Sequence, residues 1–236
     1  MGRFPNIAAA KAKTGAAKGK LYGMYAKEIY QVAKNGGVTP EGNPSLKRLI
    51  EKAKKDQVPS DVIKRAIDKV SSGAGEDYET LTYEVFGPAG STLMVKCLTD
   101  NVNRSVSDIR AVINKCHVKM GAMGSVSYMY DNLCIVGFKG LTEDEVMEAL
   151  IANDVDFVDL EVDGDQIIIY GQPQDLFKIK TAITGVKDVD FTIDEISLLP
   201  KDRIDLEGES LDEFNRLLNM LDEVDDVQSV YHNVNL

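Results

Sequence analysis

The chain has 236 residues, of which 44% are hydrophobic and 28% charged. These are ordinary values for a folded protein and exclude wholesale disorder. No apolar run approaches the ~18–20 residues that cross a bilayer, and the N-terminus lacks the apolar stretch of a signal peptide, so neither a membrane partner nor secretion is expected. Three cysteines, Cys97, Cys116 and Cys134, form no C-x-x-C pair and give neither a disulfide framework nor a zinc ribbon. A reducing, cytoplasmic setting is expected. The net charge of −11 hides two opposite bodies: residues 1–75 hold 15 Lys+Arg against 6 Asp+Glu, and residues 76–236 hold 12 against 32. Such asymmetry points to a polyanion bound at the basic end, with a lysine-solubilised tail as the plain alternative.

In chain order, residues 1–20 read as a Gly/Ala/Lys arm without a stable apolar stripe. The periodicity predicts a helix over about 21–35, stopped at Gly36-Gly37. A second helix starts with Asn43 as N-cap and Pro44 in its first turn, and Leu46, Leu49, Ile50 and Ala53 form its apolar stripe. A third starts near Pro59-Ser60 and carries Ile63, Ala66, Ile67 and Val70. Together they make a small bundle that ends at Ser71-Ser72-Gly73-Ala74-Gly75. Strands are then predicted over 78–86 and 91–98 around the turn Gly87-Pro88-Ala89-Gly90, followed by a helix at about 102–116 and a strand at 125–130.

Residues 133–199 read as strand 133–138, a helix with a Thr142/Glu145 capping box, strands 155–162 and 165–171 around Asp163-Gly164, a helix opening at Pro173, and a strand at about 188–198. That β-α-β-β-α-β order is the ferredoxin-like split arrangement. Helix 210–223, with a Ser210/Glu213 capping box, and a strand near 226–232 complete the set begun by 78–131. The expected fold is therefore α+β: an N-terminal three-helix bundle plus two ferredoxin-like α/β domains, the third inserted into the discontinuous second. The boundaries are 1–76 for the arm and bundle, 77–132 and 206–236 for the middle domain, and 133–205 for the insert.

Catalytic signatures are missing: there is no G-x-G-x-x-G, Walker P-loop, H-E-x-x-H or G-x-S-x-G. Cys116 and His117 are adjacent and diverge by about 100° on a helix, too far apart in direction for a thiol–imidazole dyad. The run Asp159-x-Glu161-x-Asp163-Gly164 starts like a calcium loop, but Tyr170 stands where the bidentate glutamate belongs, and the acids alternate with Val158, Leu160 and Val162 as on a strand with one wet face. No enzyme, metal site or cofactor is expected. The polar loop Thr99-Asp100-Asn101-Val102-Asn103-Arg104-Ser105 at a helix N-terminus is open to two readings, simple capping or a phosphate cradle.

Several segments together resemble the YebC/PmpR family, to which a mitochondrial translational activator of cytochrome c oxidase subunit I also belongs. They are Gly2 and Asn6-Ile7 with spaced lysines up to Gly19-Lys20; Asn43-Pro44-Ser45-Leu46; the run Val58 to Ile67; Tyr83-Glu84; Gly87-Pro88-Ala89-Gly90; Cys97 to Arg104; and Gly124-Ser125-Val126-Ser127-Tyr128. Phe4-Pro5 replaces the usual Ser-Lys-Trp, Ala89 the usual second glycine of the turn, and Val102 the usual arginine. The resemblance implies a three-domain, non-catalytic cytoplasmic protein, either a DNA-binding transcriptional regulator or a ribosome-associated translation factor that binds ribosomal RNA.

The candidate nucleic-acid contacts are Arg3, Asn6, Lys11, Lys13, Lys18, Lys20 and Lys27 from the arm and first helix. To these are added Lys47, Arg48, Lys54 and Lys55 on the second helix, Lys64 and Arg65 on the third, and Asn101, Asn103 and Arg104 in the polar loop. Five or six lysines on phosphates give a log–log salt slope of roughly −4 to −5. The second helix is mostly lysine, which suits phosphate rather than base edges. A protein-docking module without nucleic acid is the third reading. No heptad repeat is present, and a monomer is expected.

Overall fold

The computed structural model describes residues 18–73 and 75–236. It is an α+β structure, and its contacts divide it into two compact units. Among the described residues, one contains Lys18–Met123 together with Leu206–Val230; the other contains Gly124–Asp205 and Tyr231–Leu236.

In the first unit, α1 (Lys18–Gly36), α2 (Pro44–Lys55) and α3 (Ser60–Ser71) form the bundle. Helix α1 is already formed at Lys18, the first described residue, ahead of the start at about 21 that its apolar stripe suggests. The core is Tyr25, Ile29 and Ala33 of α1 against Leu46, Leu49 and Ala53 of α2 and Ile63 and Ala66 of α3. Burying each aliphatic side chain stabilises the fold by about 1.5–3 kcal/mol. Asn43 organises the α1–α2 corner. Its Oδ1 accepts from the Leu46 amide at 3.1 Å, while Nδ2 donates to the Val32 carbonyl at 3.1 Å and the Gly37 carbonyl at 2.9 Å. Gly36 is required for this approach, because a Cβ there would lie 2.6 Å from Asn43 Nδ2. The Tyr25 hydroxyl donates to Asp56 at the C-terminal cap of α2, closing the other end.

Strands β1 (Glu79–Phe86) and β2 (Thr92–Thr99) form an antiparallel hairpin in which Glu79 faces Thr99 and Phe86 faces Thr92. Helix α4 (Val102–Lys115) buries Ile109, Val112 and Ile113 and leads to the short β3 (Lys119–Met120), which pairs with β1. The strand predicted over 125–130 is not formed: Ser127–Met129 is a single 3-10 turn. Alternation of Val126, Tyr128 and Tyr130 imitates a strand, yet only Val126 and Tyr130 are buried and Tyr128 is 63% exposed. Helix α7 (Gly208–Asp222) buries Phe214, Leu217, Leu218 and Leu221, and β9 (Val227–His232) completes the sheet order β3-β1-β2-β9. The Ser210/Glu213 box is also not formed. The helix begins at Gly208 behind an extended Glu207, so Ser210 is already inside it.

The second unit carries β4 (Tyr130–Lys139), α5 (Glu143–Ala152), β5 (Asp159–Asp163), β6 (Gln166–Gly171), α6 (Leu176–Val186) and β7 (Phe191–Pro200). The sheet order β5-β6-β4-β7, with every neighbouring pair antiparallel, is the ferredoxin-like arrangement. Cys134, Val136 and Phe138 of β4 and Ile167 and Ile169 of β6 meet Val146 and Leu150 of α5 and Leu176, Ile179 and Ile183 of α6. The opposite face gathers Leu133, Ile135, Ile168, Tyr170 and Leu199. Burial on both faces explains the unbroken apolar runs of β4 and β6. Thr142 and Glu145 form the expected capping box. Strand β5 starts at Asp159 rather than 155 and lies at the sheet edge. That edge position leaves Val158 and Val162 about half exposed instead of buried opposite the acids. Two short parallel strands, β8 (Ile204–Asp205) and β10 (Val234–Asn235), close this unit.

Candidate nucleic-acid interface

Positive charge is concentrated on two of the bundle helices, but they differ in how it is used. Helix α1 carries Lys18, Lys20, Lys27 and Lys34 against Glu28. Lys34 pairs with Asp77, Lys27 Nζ lies 2.9 Å from Asp226 Oδ1, and Lys20 Nζ stands 3.7 Å from Asp222, an ion pair too long to be a hydrogen bond. Helix α2 carries Lys47, Arg48, Lys52, Lys54 and Lys55 against Glu51 alone. Lys47 and Lys54 lie seven residues apart on one stripe, are exposed, and make no ion pair among the described residues. Three of the basic residues stand in the last turn, where they also complement the helix dipole. Helix α3 is nearly balanced: Lys64 is exposed, while Arg65 Nη2 bonds Asp61 at 2.5 Å, one turn away.

The polar loop after β2 is exposed, but its main cation, the 45% exposed Arg104, is tied to acids. Asn101 is the N-cap of α4, its Oδ1 accepting from the Arg104 amide at 3.0 Å. Asn103 is exposed on the first turn. The Arg104 guanidinium turns to two acids: Nη2 donates to Asp100 Oδ1 at 2.6 Å and to both oxygens of Asp226 at 3.0 Å, and Nε donates to Asp226 Oδ2 at 3.2 Å. Thr99 Oγ1 donates to Asp226 Oδ2 at 2.8 Å. Asp226, only 1% exposed, thus collects an ammonium, a guanidinium and a hydroxyl. Burial pushes its carboxyl up, but the bonds from Lys27, Thr99 and Arg104 outweigh this and hold it below the usual carboxylate range. The bond from Arg104 likewise holds Asp100 below that range.

The structure therefore brings Lys27, Thr99 and Arg104 together around an acid that local sequence does not single out. It leaves Lys18, Lys47, Lys54, Lys64 and Asn103 exposed; Arg48 is half-buried and Lys55 exposed, and each has a polar or charged partner. Arg3, Asn6, Lys11 and Lys13 lie outside the described residues. Asp226 stands 199 positions from Lys27 and 122 from Arg104, so only the pairing of β9 beside β2 reveals it. Elsewhere, Cys116 is half-buried at the end of α4, its thiol 3.5 Å from the Met220 sulfur, and burial raises its pKa. Among the described residues no three His, Cys, Asp or Glu side chains are grouped to hold a metal, and no helix is long and apolar enough to cross a membrane.

Comparison with known proteins is consistent along the whole chain. The family model described as TACO1/YebC protein N-terminal domain matches residues 2–73, and that described as TACO1/YebC second and third domain matches residues 78–234. A probable transcriptional regulatory protein of Alteromonas mediterranea is 46% identical over 99% of this chain and 98% of its own. One from a Marinomonas species is 44% identical over 99% of both. The crystal structure of a conserved hypothetical protein from Aquifex aeolicus superposes with a TM-score of 0.75 at 33% identity, covering 95% of this chain and 93% of that one.

Proposed function

Because the chain belongs to the TACO1/YebC family, we propose that it is a non-catalytic, nucleic-acid-binding regulator of gene expression, acting on DNA as a transcriptional regulator. Its relatives are described as probable transcriptional regulatory proteins, which supports the regulatory part. The observation that carries the nucleic-acid part is α2. It holds five basic residues against one acid in 12 positions, with Lys47 and Lys54 exposed. A short helix with that excess attracts a phosphate backbone, and counterion release supplies the affinity. The arm adds Arg3, Lys11 and Lys13 without a single acid. The protein works as a cytoplasmic monomer of three domains, with the boundaries expected above, and needs no cofactor.

A second reading is favoured by the same helix. Base-edge recognition calls for Arg, Asn or Gln, whereas α2 exposes lysine, which holds phosphate without reading sequence. Residues 124–205 hold 18 Asp+Glu against 6 Lys+Arg, a body that a long duplex repels and basic ribosomal proteins attract. These features support ribosomal RNA as the target and a role in translation. The test is fluorescence anisotropy of the full chain with labelled duplex DNA and with a ribosomal RNA hairpin, over a salt series. Binding to either with a log–log slope of roughly −4 supports the proposal. Absence of binding to both at low salt refutes it and leaves a protein-docking module.

A further inference from the structure

We infer that Asp226 divides the basic residues of the N-terminal half into two working classes: Lys27 and Arg104, withdrawn to hold α1 against the β2–α4 junction, and the α2 lysines Lys47 and Lys54, which meet phosphate. The first half of this inference stands on geometry alone; the second rests on the nucleic-acid reading above.

Asp226 is 1% exposed and lies between α7 and β9, where it reaches three elements at once. Lys27 contributes 2.9 Å from α1, Thr99 2.8 Å from the end of β2, and Arg104 3.0 and 3.2 Å from the first turn of α4. A carboxylate buried to this degree is tolerated because those donors surround it; stripping one away leaves the buried charge less well compensated. A phosphate that recruits Lys27 or the Nε and Nη2 of Arg104 takes a donor from Asp226. Asp100 also engages Arg104 Nη2, at 2.6 Å, so the guanidinium is held from two sides. Nothing comparable closes over Lys47 and Lys54, which make no ion pair among the described residues.

The Lys27–Asp226 pair is also one of the contacts that dock the bundle. The bundle's apolar core gathers residues of α1, α2 and α3, and α1 also meets the rest of its unit through polar and aromatic contacts. These are Lys27 with Asp226, Lys20 with Asp222, Lys34 with Asp77, and the Tyr30 ring edge-on to Tyr78 at 5.7 Å. Of the three acids that pair with α1, Asp226 alone is almost fully buried, so its loss disturbs the placement of α1 most. Docking and nucleic-acid binding are therefore carried by different cations, and single substitutions separate them.

The test uses the full chain, a labelled DNA duplex and a labelled ribosomal RNA hairpin over a salt series, with amide hydrogen exchange on the same samples. Replacing Lys47 and Lys54 together by Gln makes the slope shallower by about 1.8 on duplex DNA, and leaves exchange at residues 75–78 and 99–104 unchanged. Lys27→Gln does the reverse: exchange there quickens and the slope keeps its wild-type value. Asp226→Asn quickens the same exchange and steepens the slope by about 1–2 as the withdrawn cations are released. The inference is overturned if Lys27→Gln makes the slope shallower by about 1, or if Asp226→Asn changes neither readout. Should Asp226→Asn fail to fold, Lys27→Gln alone decides the matter. If the wild-type chain binds neither probe, the nucleic-acid reading fails, while exchange in the two single variants still decides whether Asp226 holds the bundle.

Discussion

Ala89, at the tip of the β1–β2 hairpin, adopts φ 49° and ψ 38°, the left-handed region that favours glycine, in a turn where the resembling family has glycine. Holding an L-residue there costs roughly 1–2 kcal/mol. Ala89→Gly removes that strain, but it also frees the unfolded chain, which offsets about 0.4–1 kcal/mol. The side chain is exposed, so no packing is lost with the methyl group. The net expectation is a stabilisation of about 0.5–1 kcal/mol, or a midpoint rise of roughly 1–4 °C for a chain of this size. With no tryptophan in the sequence, urea and thermal unfolding are followed by far-ultraviolet circular dichroism. The neighbouring Gly87 gives the opposite sign, because a Cβ there would lie 2.4 Å from Ser91 Oγ, so Gly87→Ala destabilises. An unchanged or lowered midpoint for Ala89→Gly refutes the strain argument.

Three further outcomes are expected. Tyr25→Phe removes the hydroxyl that donates to Asp56 at the α2 cap, and lowers stability by about 1–2 kcal/mol in a urea melt; no loss means that the bond contributes nothing. Folding holds the carboxyls of Asp226 and Asp100 below their usual range, so they add stability that is fully present above a pH of about 4 and is lost as pH falls through the lowered values. Amide exchange at residues 99–104 therefore quickens on acidification below about pH 4, after correction for intrinsic rates, and constant protection down to pH 2 contradicts this. Changing Lys11, Lys13 and Lys18 together to Glu abolishes nucleic-acid binding without altering the melting midpoint, and wild-type affinity in that variant removes the arm from the site.

Where the chemistry is local, the sequence is a sufficient guide. Asn43 before Pro44, the Thr142/Glu145 pair and the Asp163-Gly164 turn each satisfy backbone groups within a few residues, and each is found as its spacing predicts. Two local signals mislead. Ser210-x-x-Glu213 has capping-box spacing, but a helix entered at Gly208 is already under way, and the hydroxyl meets no free N-terminus. Val126, Tyr128 and Tyr130 alternate like strand residues around a 3-10 turn. The largest gap concerns charge. Arg104 in its polar loop looks available to a phosphate, and Asp226 in the run Asp222-Glu223-Val224-Asp225-Asp226 looks like one solvated acid among several. Their pairing depends on β9 lying beside β2, a contact of high sequence separation that no periodicity reveals.

The central claim is that nucleic acid is the partner of the basic end, and ultraviolet crosslinking of the tagged protein in cells tests it most directly when both recovered RNA and recovered DNA are sequenced. Enrichment of discrete sites is expected, with peptide crosslinks in the arm and in α2 around Lys47 and Lys54. Promoter DNA would mark a transcriptional regulator, and a few ribosomal RNA positions a translation factor. Crosslinks to neither, or crosslinks centred on Lys27 and Arg104, would contradict it.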